Sequence, residues 1–130
     1  MVAAEWDLNE TVAGFELDLD AVPELRTVTY EDVTSFPEVR EDLAVVVSEE
    51  VPAAEVIEVV RATGAPLLQG VEVFDVYRNP QRLGEGKVSL ALRLSYRAPD
   101  RTLTDQEVAG KRQAISDALA TKLDGKVRAA

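Results

Sequence analysis

The chain has 130 residues, 46% of them hydrophobic, which is enough for one domain with a core and some additional sequence. It contains no Cys and no His, which excludes disulfides, Cys/His zinc sites, Cys nucleophiles and Ser-His-Asp triads. The formal net charge of −10 argues at first against a nucleic-acid partner.

Residues 1–35 do not have the pattern of a self-sufficient unit. Phe15, Leu17 and Leu19 alternate with acidic residues, which predicts one amphipathic strand over residues 12–19. A lone strand needs partners for its backbone groups and its apolar face. A proline-containing acidic connector follows. We therefore predict that residues 1–35 are the remnant of another domain and that residues 36–130 form a domain of their own.

The second part begins with a strand and a helix. Residues 43–47 are a short, mostly β-branched run, which predicts a buried strand. Pro52 and the acids before it suit the start of a helix. Ala53, Val56, Ile57 and Val60 form one apolar stripe, and Gly64 is an expected stop.

A β-hairpin is predicted next, over residues 71–78 and 87–97. In its second strand apolar residues alternate with Lys, Ser, Ala and Arg, so one face is buried and the other is in water. The segment from Thr104 to Glu107 has the form of a capping box and begins a second amphipathic helix, which continues to Gly125. Residues 126–128 read as a weak last strand.

The element order β-α-β-β-α-β indicates an α+β, ferredoxin-like sandwich. Each helix has a single apolar stripe, so both cover the same face of a four-stranded antiparallel sheet, with the first and third strands in the centre. The other face stays open. By alternation it carries nine residues, which are Ala44, Val46, Val73, Asp75, Tyr77, Ser89, Ala91, Arg93 and Ser95.

An exposed Tyr beside Asp, Ser and Arg on an open sheet can stack a splayed nucleobase and hydrogen-bond its edge. A carboxylate can accept from both donors of a guanine edge, so the set favours guanine. A solvent-facing Tyr with ordinary polar neighbours is the simpler interpretation, and composition alone leaves both open. Glu72 and Asp75 differ in parity, so we expect them on opposite faces and not as a catalytic pair.

Four segments in this order resemble a known family. They are residues 36–47 (FPEVREDLAVVV), 74–78 (FDVYR), 84–91 (GEGKVSLA) and 99–105 (PDRTLTD). The sequence is similar to the ferredoxin-fold anticodon-binding domain, which ends the beta subunit of bacterial phenylalanyl-tRNA synthetases. Residues 6–25 resemble the end of the catalytic-like domain that precedes it.

The resemblance implies recognition of the first anticodon base, a guanine, of phenylalanine tRNA. Carried over by motif, Tyr77 would stack on the base, Asp75 and Ser89 would hydrogen-bond it, and Ala44 would contact it. Glu41 departs from the family pattern because a basic residue is usual near Asp42. The acidic character of the chain also weakens the expected affinity for RNA.

The resemblance also implies partners and cofactors outside this chain. The parent enzyme would be an α2β2 ligase that uses ATP and magnesium, with its catalytic residues in the alpha subunit. We expect no cofactor, no metal and no active site here. No apolar run reaches membrane-spanning length, so we expect no membrane partner, and the absence of Cys fits a cytoplasmic protein. The alternative is a detached ferredoxin-like domain that binds a protein or a small ligand and has no RNA role.

Overall fold

The structure is a computed structural model that describes residues 13–22 and 36–128. The chain divides into two units, Met1–Asp32 and Val33–Ala130. Trp6 and the connector lie outside the described residues, and the predicted boundary between residues 35 and 36 stays a prediction.

The described part of the first unit contains a 3-10 helix, Leu19–Ala21, and no strand. Its N-cap is Asp18, whose side chain accepts a hydrogen bond from the Asp20 backbone N–H at 3.0 Å. The strand predicted over residues 12–19 is therefore wrong for residues 13–19. Alternation forms a strand only where a neighbouring strand supplies hydrogen bonds, and a local Asp cap competes with that geometry.

The second unit is a sheet of four strands with helices between them. The strands are β1 (Val39–Ser48), β2 (Leu68–Tyr77), β3 (Lys87–Tyr96) and β4 (Lys126–Arg128). The helices are α1 (Ala53–Gly64), the short α2 (Pro80–Leu83) and α3 (Asp105–Leu123). The spatial order is β2-β3-β1-β4, and all neighbouring strands are antiparallel. This confirms the predicted fold, with β1 and β3 in the centre.

The core lies between one face of the sheet and the two long helices. Alternate residues of the central strands are buried there, among them Val45, Leu92 and Leu94. Val56 and Val60 of α1 and Ile115 and Leu119 of α3 meet them from the helical side. The opposite side of the sheet, here called the open face, has no helix of this unit on it.

Both long helices begin close to the predicted residues, but α1 starts slightly later than predicted. Glu49 and Glu50 form a turn, and α1 begins only after Pro52. Thr104 and Glu107 form the predicted capping box at α3. The Thr104 backbone N–H, Arg101 and the Thr104 hydroxyl donate to the Glu107 carboxylate, which lowers its pKa to about 2.

Gly64 ends α1 where the helix approaches β2. A Cβ atom at this position would collide with the Leu68 side chain, including the Leu68 Cβ atom. Only a residue without a side chain therefore lets α1 pack this closely on the strand that follows it.

The connection between β2 and β3, predicted as a loop, contains one helical turn. Asn79 caps α2, because its side-chain oxygen accepts from the Arg82 backbone N–H at 3.1 Å, and Pro80 stands at the first helical position. Gly84 and Gly86 then adopt positive φ angles of 95° and 64° and return the chain to β3.

Tyr96, at the end of β3, is fully buried on the core side. Its hydroxyl has no hydrogen-bond partner within the described residues. Burial raises the pKa of Tyr96 to about 12, and the nearby Glu41 carboxylate adds to this, whereas Arg112 opposes it. The Arg112 side chain approaches Glu41 from α3 at 3.9 Å.

A β-bulge at Phe74 changes the predicted faces of β2. Val73 pairs with Leu92 and Asp75 with Ala91, which leaves Phe74 as an extra residue without a pair. Upstream of the bulge, Glu72 lies opposite Arg93 and so belongs to the open face, while Val73 faces the core side. The predictions that Val73 lies on the open face and that Glu72 and Asp75 face opposite sides are therefore wrong. A one-residue insertion inverts the parity of everything before it.

Candidate nucleic-acid interface

The open face is a grid of rows, because directly paired residues of antiparallel strands project to the same side. One row runs Tyr77, Ser89, Val46 and Lys126 from β2 to β4. The next row runs Asp75, Ala91, Ala44 and Arg128. We call these the Tyr77 row and the Asp75 row.

The four predicted site residues meet in these two rows. Tyr77 pairs directly with Ser89, and Asp75 and Ala44 both flank Ala91. Adjacent rows lie roughly 6–7 Å apart, which is two residues along a strand. Tyr77, Asp75, Ser89 and Ala44 thus form one contiguous patch, although β1 and β2 are separated by the length of α1 in the sequence.

Tyr77 and Ser89 differ in exposure. The Tyr77 residue is 37% exposed, so part of its ring is open to solvent, while Ser89 is only 7% exposed. Ser89 pairs directly with Tyr77, so the two side chains are neighbours on the open face and Ser89 is the less exposed of the two. A planar ligand stacked on the ring would therefore lie close to a group that can both donate and accept a hydrogen bond.

The Asp75 carboxylate is oriented by its own backbone. Its Oδ1 atom accepts a hydrogen bond from the Val76 backbone N–H at 2.9 Å. The second oxygen, Oδ2, has no hydrogen bond within the described residues. One oxygen therefore fixes the side chain while the other remains free to accept from a ligand.

Small side chains form the floor of the patch, and basic side chains form its far side. Ala91 and Ala44 lie between Asp75 and Arg128, and three strand spacings of about 4.8 Å separate β2 from β4, or roughly 14 Å. Lys126 and Arg128 are exposed. The sequence reasoning missed both as site residues, and the antiparallel pairing of β4 with β1 was the signal that could have found them.

A third row, here called the Arg93 row, contains Glu72, Arg93 and Asp42. Arg93 Nε donates to Asp42 Oδ1 at 3.0 Å, and Nη2 donates to Oδ2 at 3.1 Å. These bonds, the charge of Asp42 and then that of Glu72 raise the pKa of Arg93. The guanidinium carbon lies 4.7 Å from the centre of the Phe74 ring, so the bulge brings Phe74 to the open face.

The rows end at a cluster around Glu38. Arg40 Nε donates to Glu38 Oε1 at 3.1 Å, and Arg97 Nη2 lies 3.5 Å from Glu38 Oε2. Hydrogen bonding with the Ser95 side chain and then the hydrogen bond from Arg40 lower the pKa of Glu38. Its carboxylate keeps the two arginines at this end of the sheet.

The open face has the opposite charge balance to the whole chain. Its paired positions carry five basic residues against three acidic residues. The basic residues are Arg40, Lys87, Arg93, Lys126 and Arg128, and the acidic residues are Asp42, Glu72 and Asp75. The difference of +2 contrasts with −10 for the chain, and a locally basic face can attract phosphates.

The described residues contain neither a cluster of metal ligands nor a phosphate-binding loop. Within residues 13–22 and 36–128, no group of three or more His, Cys, Asp or Glu side chains is placed to hold a metal ion. The Gly84–Gly86 segment leads into a strand and not into a helix, so it does not form a phosphate-binding loop. Over the same ranges, none of the helices combines the length and apolar character needed to cross a membrane.

Comparisons with known proteins match this architecture. The family described as the ferredoxin-fold anticodon binding domain matches residues 34–128. A relative from Corynebacterium efficiens, named phenylalanine–tRNA ligase beta subunit, is 43% identical over 121 residues. Relatives with the same name from Moorella thermoacetica and Geobacillus kaustophilus are 43% identical over 129 residues and 42% identical over 116 residues.

These relatives are much longer than the present chain. The aligned regions cover 93%, 98% and 88% of this chain but only 14%, 16% and 14% of the respective relatives. The match therefore concerns one domain of a large subunit. Its extent, together with the β2-β3-β1-β4 sheet and the open face, shows that the chain belongs to the ferredoxin-fold anticodon-binding domain family.

Proposed function

We propose that this chain is the anticodon-binding module of a phenylalanine-tRNA ligase beta subunit, and that its open face holds the first anticodon base of phenylalanine tRNA, a guanine. The observation that carries the proposal is the contiguous patch of Tyr77, Asp75, Ser89 and Ala44 on two adjacent rows. Family membership adds to it, because the family is described by anticodon binding.

Each residue has a separate task in this proposal. Tyr77 stacks on the guanine, since an exposed ring on an open sheet is a sequence-tolerant platform for a base. Asp75, through its free oxygen, and Ser89 accept from the donors of the guanine edge. Ala44 contributes no side-chain hydrogen bond and leaves room for the base over the floor. The exposed Lys126 and Arg128 attract the phosphates of the loop.

The chemistry of the parent enzyme belongs elsewhere. In this proposal the parent joins phenylalanine to its tRNA with ATP and magnesium, in an α2β2 assembly with an alpha subunit and the rest of the beta subunit. The relatives' name, a tRNA ligase, supports this reading. In this proposal the part of the present chain is to bind and orient RNA.

Binding to phenylalanine tRNA tests the proposal. Tyr77→Ala should weaken binding by about 1–3 kcal/mol, the usual worth of stacking between a base and an aromatic ring. Tyr77→Phe is the matched control, because it keeps the ring, and it should bind as the wild type does. Both variants should retain the thermal melting of the wild type, since Tyr77 lies outside the core.

A non-cognate tRNA separates this proposal from the alternative of a protein-binding or small-ligand-binding domain. Wild-type protein should prefer phenylalanine tRNA, and the preference should survive added salt better than the overall affinity does. Equal binding to both tRNAs that disappears with salt, or a Tyr77→Ala variant that binds like the wild type, would refute the proposal.

A further inference from the structure

The Arg93 row carries a feature that the proposed guanine site does not use. Phe74 and Arg93 form a fixed stack on the open face: the Phe74 ring covers one face of the guanidinium, and the Asp42 carboxylate accepts two hydrogen bonds at its edge. The Arg93 side chain is nevertheless 42% exposed, and Phe74 is 45% exposed. The open face therefore presents a planar cation that is held in place and is still accessible to a ligand.

A hollow of about 290 Å³ lies beside this stack. It is lined by Arg40, Gly70, Val71, Glu72, Arg93 and Ser95. Its volume is near the lower end of the range for small-molecule pockets, which begins at about 300 Å³. Gly70 contributes no side chain to the hollow, and a Cβ atom there would make an ordinary contact of 3.4 Å with the Ser95 Cβ atom.

We propose that this hollow is a second nucleobase site, in which Arg93 stacks on the nucleotide adjacent to the guanine. The inference rests on the proposed function, since the Arg93 row is only two residues along β3 from the Asp75 row, or roughly 6–7 Å. RNA-binding proteins use guanidinium planes in this way to hold unstacked bases.

The charges at the site favour a base over a phosphate. Asp42 already neutralises Arg93 through two hydrogen bonds, so little positive charge remains for an anion. Arg40 also lines the hollow but is paired with Glu38, and Glu72 in the same lining would repel a phosphate. Neither group opposes a neutral aromatic ring, which can stack on the face of the guanidinium that Phe74 does not cover.

The edge groups favour a base that presents an amine. The Glu72 carboxylate accepts hydrogen bonds and cannot donate when ionised, so it suits an exocyclic amine such as that of adenine. Uracil presents a carbonyl oxygen at the equivalent edge and would meet the same carboxylate unfavourably. The second site therefore discriminates against uracil.

The test uses the full chain and RNA hairpins with the anticodon loop of phenylalanine tRNA. The fluorescent base 2-aminopurine replaces the nucleotide on either side of the guanine, in two separate hairpins. Wild-type protein should quench one of the two labels by stacking. Arg93→Lys keeps the charge but loses the plane, and it should remove that quenching and weaken binding about tenfold.

Phe74→Leu is the second variant, and it should reduce the same quenching because Arg93 loses its aromatic support. Arg61→Lys is the matched control, since Arg61 is exposed on α1, in the helical layer, and it should leave binding and quenching unchanged. Uracil in place of the nucleotide whose label is quenched should weaken wild-type binding and make no difference to Arg93→Lys.

Tyr77→Ala, measured in parallel, distinguishes the two proposals. If it weakens binding while Arg93→Lys and Phe74→Leu quench and bind as the wild type does, the second site is refuted and the guanine site stands. If neither Tyr77→Ala nor Arg93→Lys affects binding, the open face does not hold this RNA and both proposals fail.

Discussion

Tyr96→Phe should stabilise the protein at neutral pH. The Tyr96 hydroxyl is buried without a hydrogen-bond partner in the described part of the chain, whereas in the unfolded chain water solvates it. An unsatisfied buried polar group costs about 1–3 kcal/mol, and Phe keeps the rest of the ring in place. The free energy of unfolding should therefore rise by about 1–3 kcal/mol.

The same substitution should change the response to alkali. The pKa of Tyr96 is raised in the folded state from 10.0 to about 12, so the unfolded chain releases this proton first as pH rises. The folded state consequently loses stability between pH 10 and pH 12. Each unit of difference between the pKa values of the two states is worth about 1.4 kcal/mol, so the full effect approaches about 3 kcal/mol.

Urea unfolding of both proteins at pH 7, 9, 10 and 11 measures these effects. Lysines and other tyrosines titrate in both proteins, so the difference between the two pH profiles isolates Tyr96. The gap in favour of Tyr96→Phe should widen above pH 10. A less stable variant at pH 7, or parallel profiles from pH 7 to pH 11, would show that the hydroxyl is satisfied and the reasoning wrong.

Asp75→Asn should change base preference more than affinity, because an amide accepts with its oxygen and donates with its nitrogen. Binding of hairpins with guanine or adenine at the first anticodon position measures this, and an unchanged ratio of the two affinities would contradict it. Gly64→Ala should lower the free energy of unfolding by about 1–3 kcal/mol, since the new methyl group collides with Leu68; unchanged urea midpoints would count against that collision. The low pKa of Glu107 stabilises the folded state above pH 4.5, and this contribution should disappear as pH falls from about 4.5 to about 2. Glu107→Gln should lack that part of the loss of stability in acid, and identical profiles of unfolding free energy against pH for the two proteins would contradict this. Deleting residues 1–34 removes nine acids and one arginine, so RNA affinity should rise at low salt and the gain should shrink at high salt; equal affinity would make the segment electrostatically inert.

The sequence was sufficient for the fold because local signals agreed with one another. The alternation in β3 continues through the whole strand, so its buried face could be read directly. The Thr104 capping box located the start of α3. Asp75 and Tyr77 kept their predicted faces because both follow the bulge in β2, and Ser89 kept its face because it lies on β3.

The features that the sequence did not reveal all depend on how one strand pairs with another. Residues 71–77 alternate plausibly in isolation, and only the partner strand reveals that Phe74 is extra. The contact between Arg93 and Asp42 joins residues 51 positions apart, so no local pattern contains it. The tail illustrates the converse, since residues 13–19 have the pattern of a strand without forming one.

The bulge has a consequence for how this sheet could be altered. Since Val73 and Asp75 already face neighbouring positions of β3, removing residue 74 would leave a regular ladder with every flanking side chain on its present side. Position 74 is therefore an addition to the open face that does not take part in the packing of the core. Substitutions at this position should change the open face and leave the packing on the core side as it is.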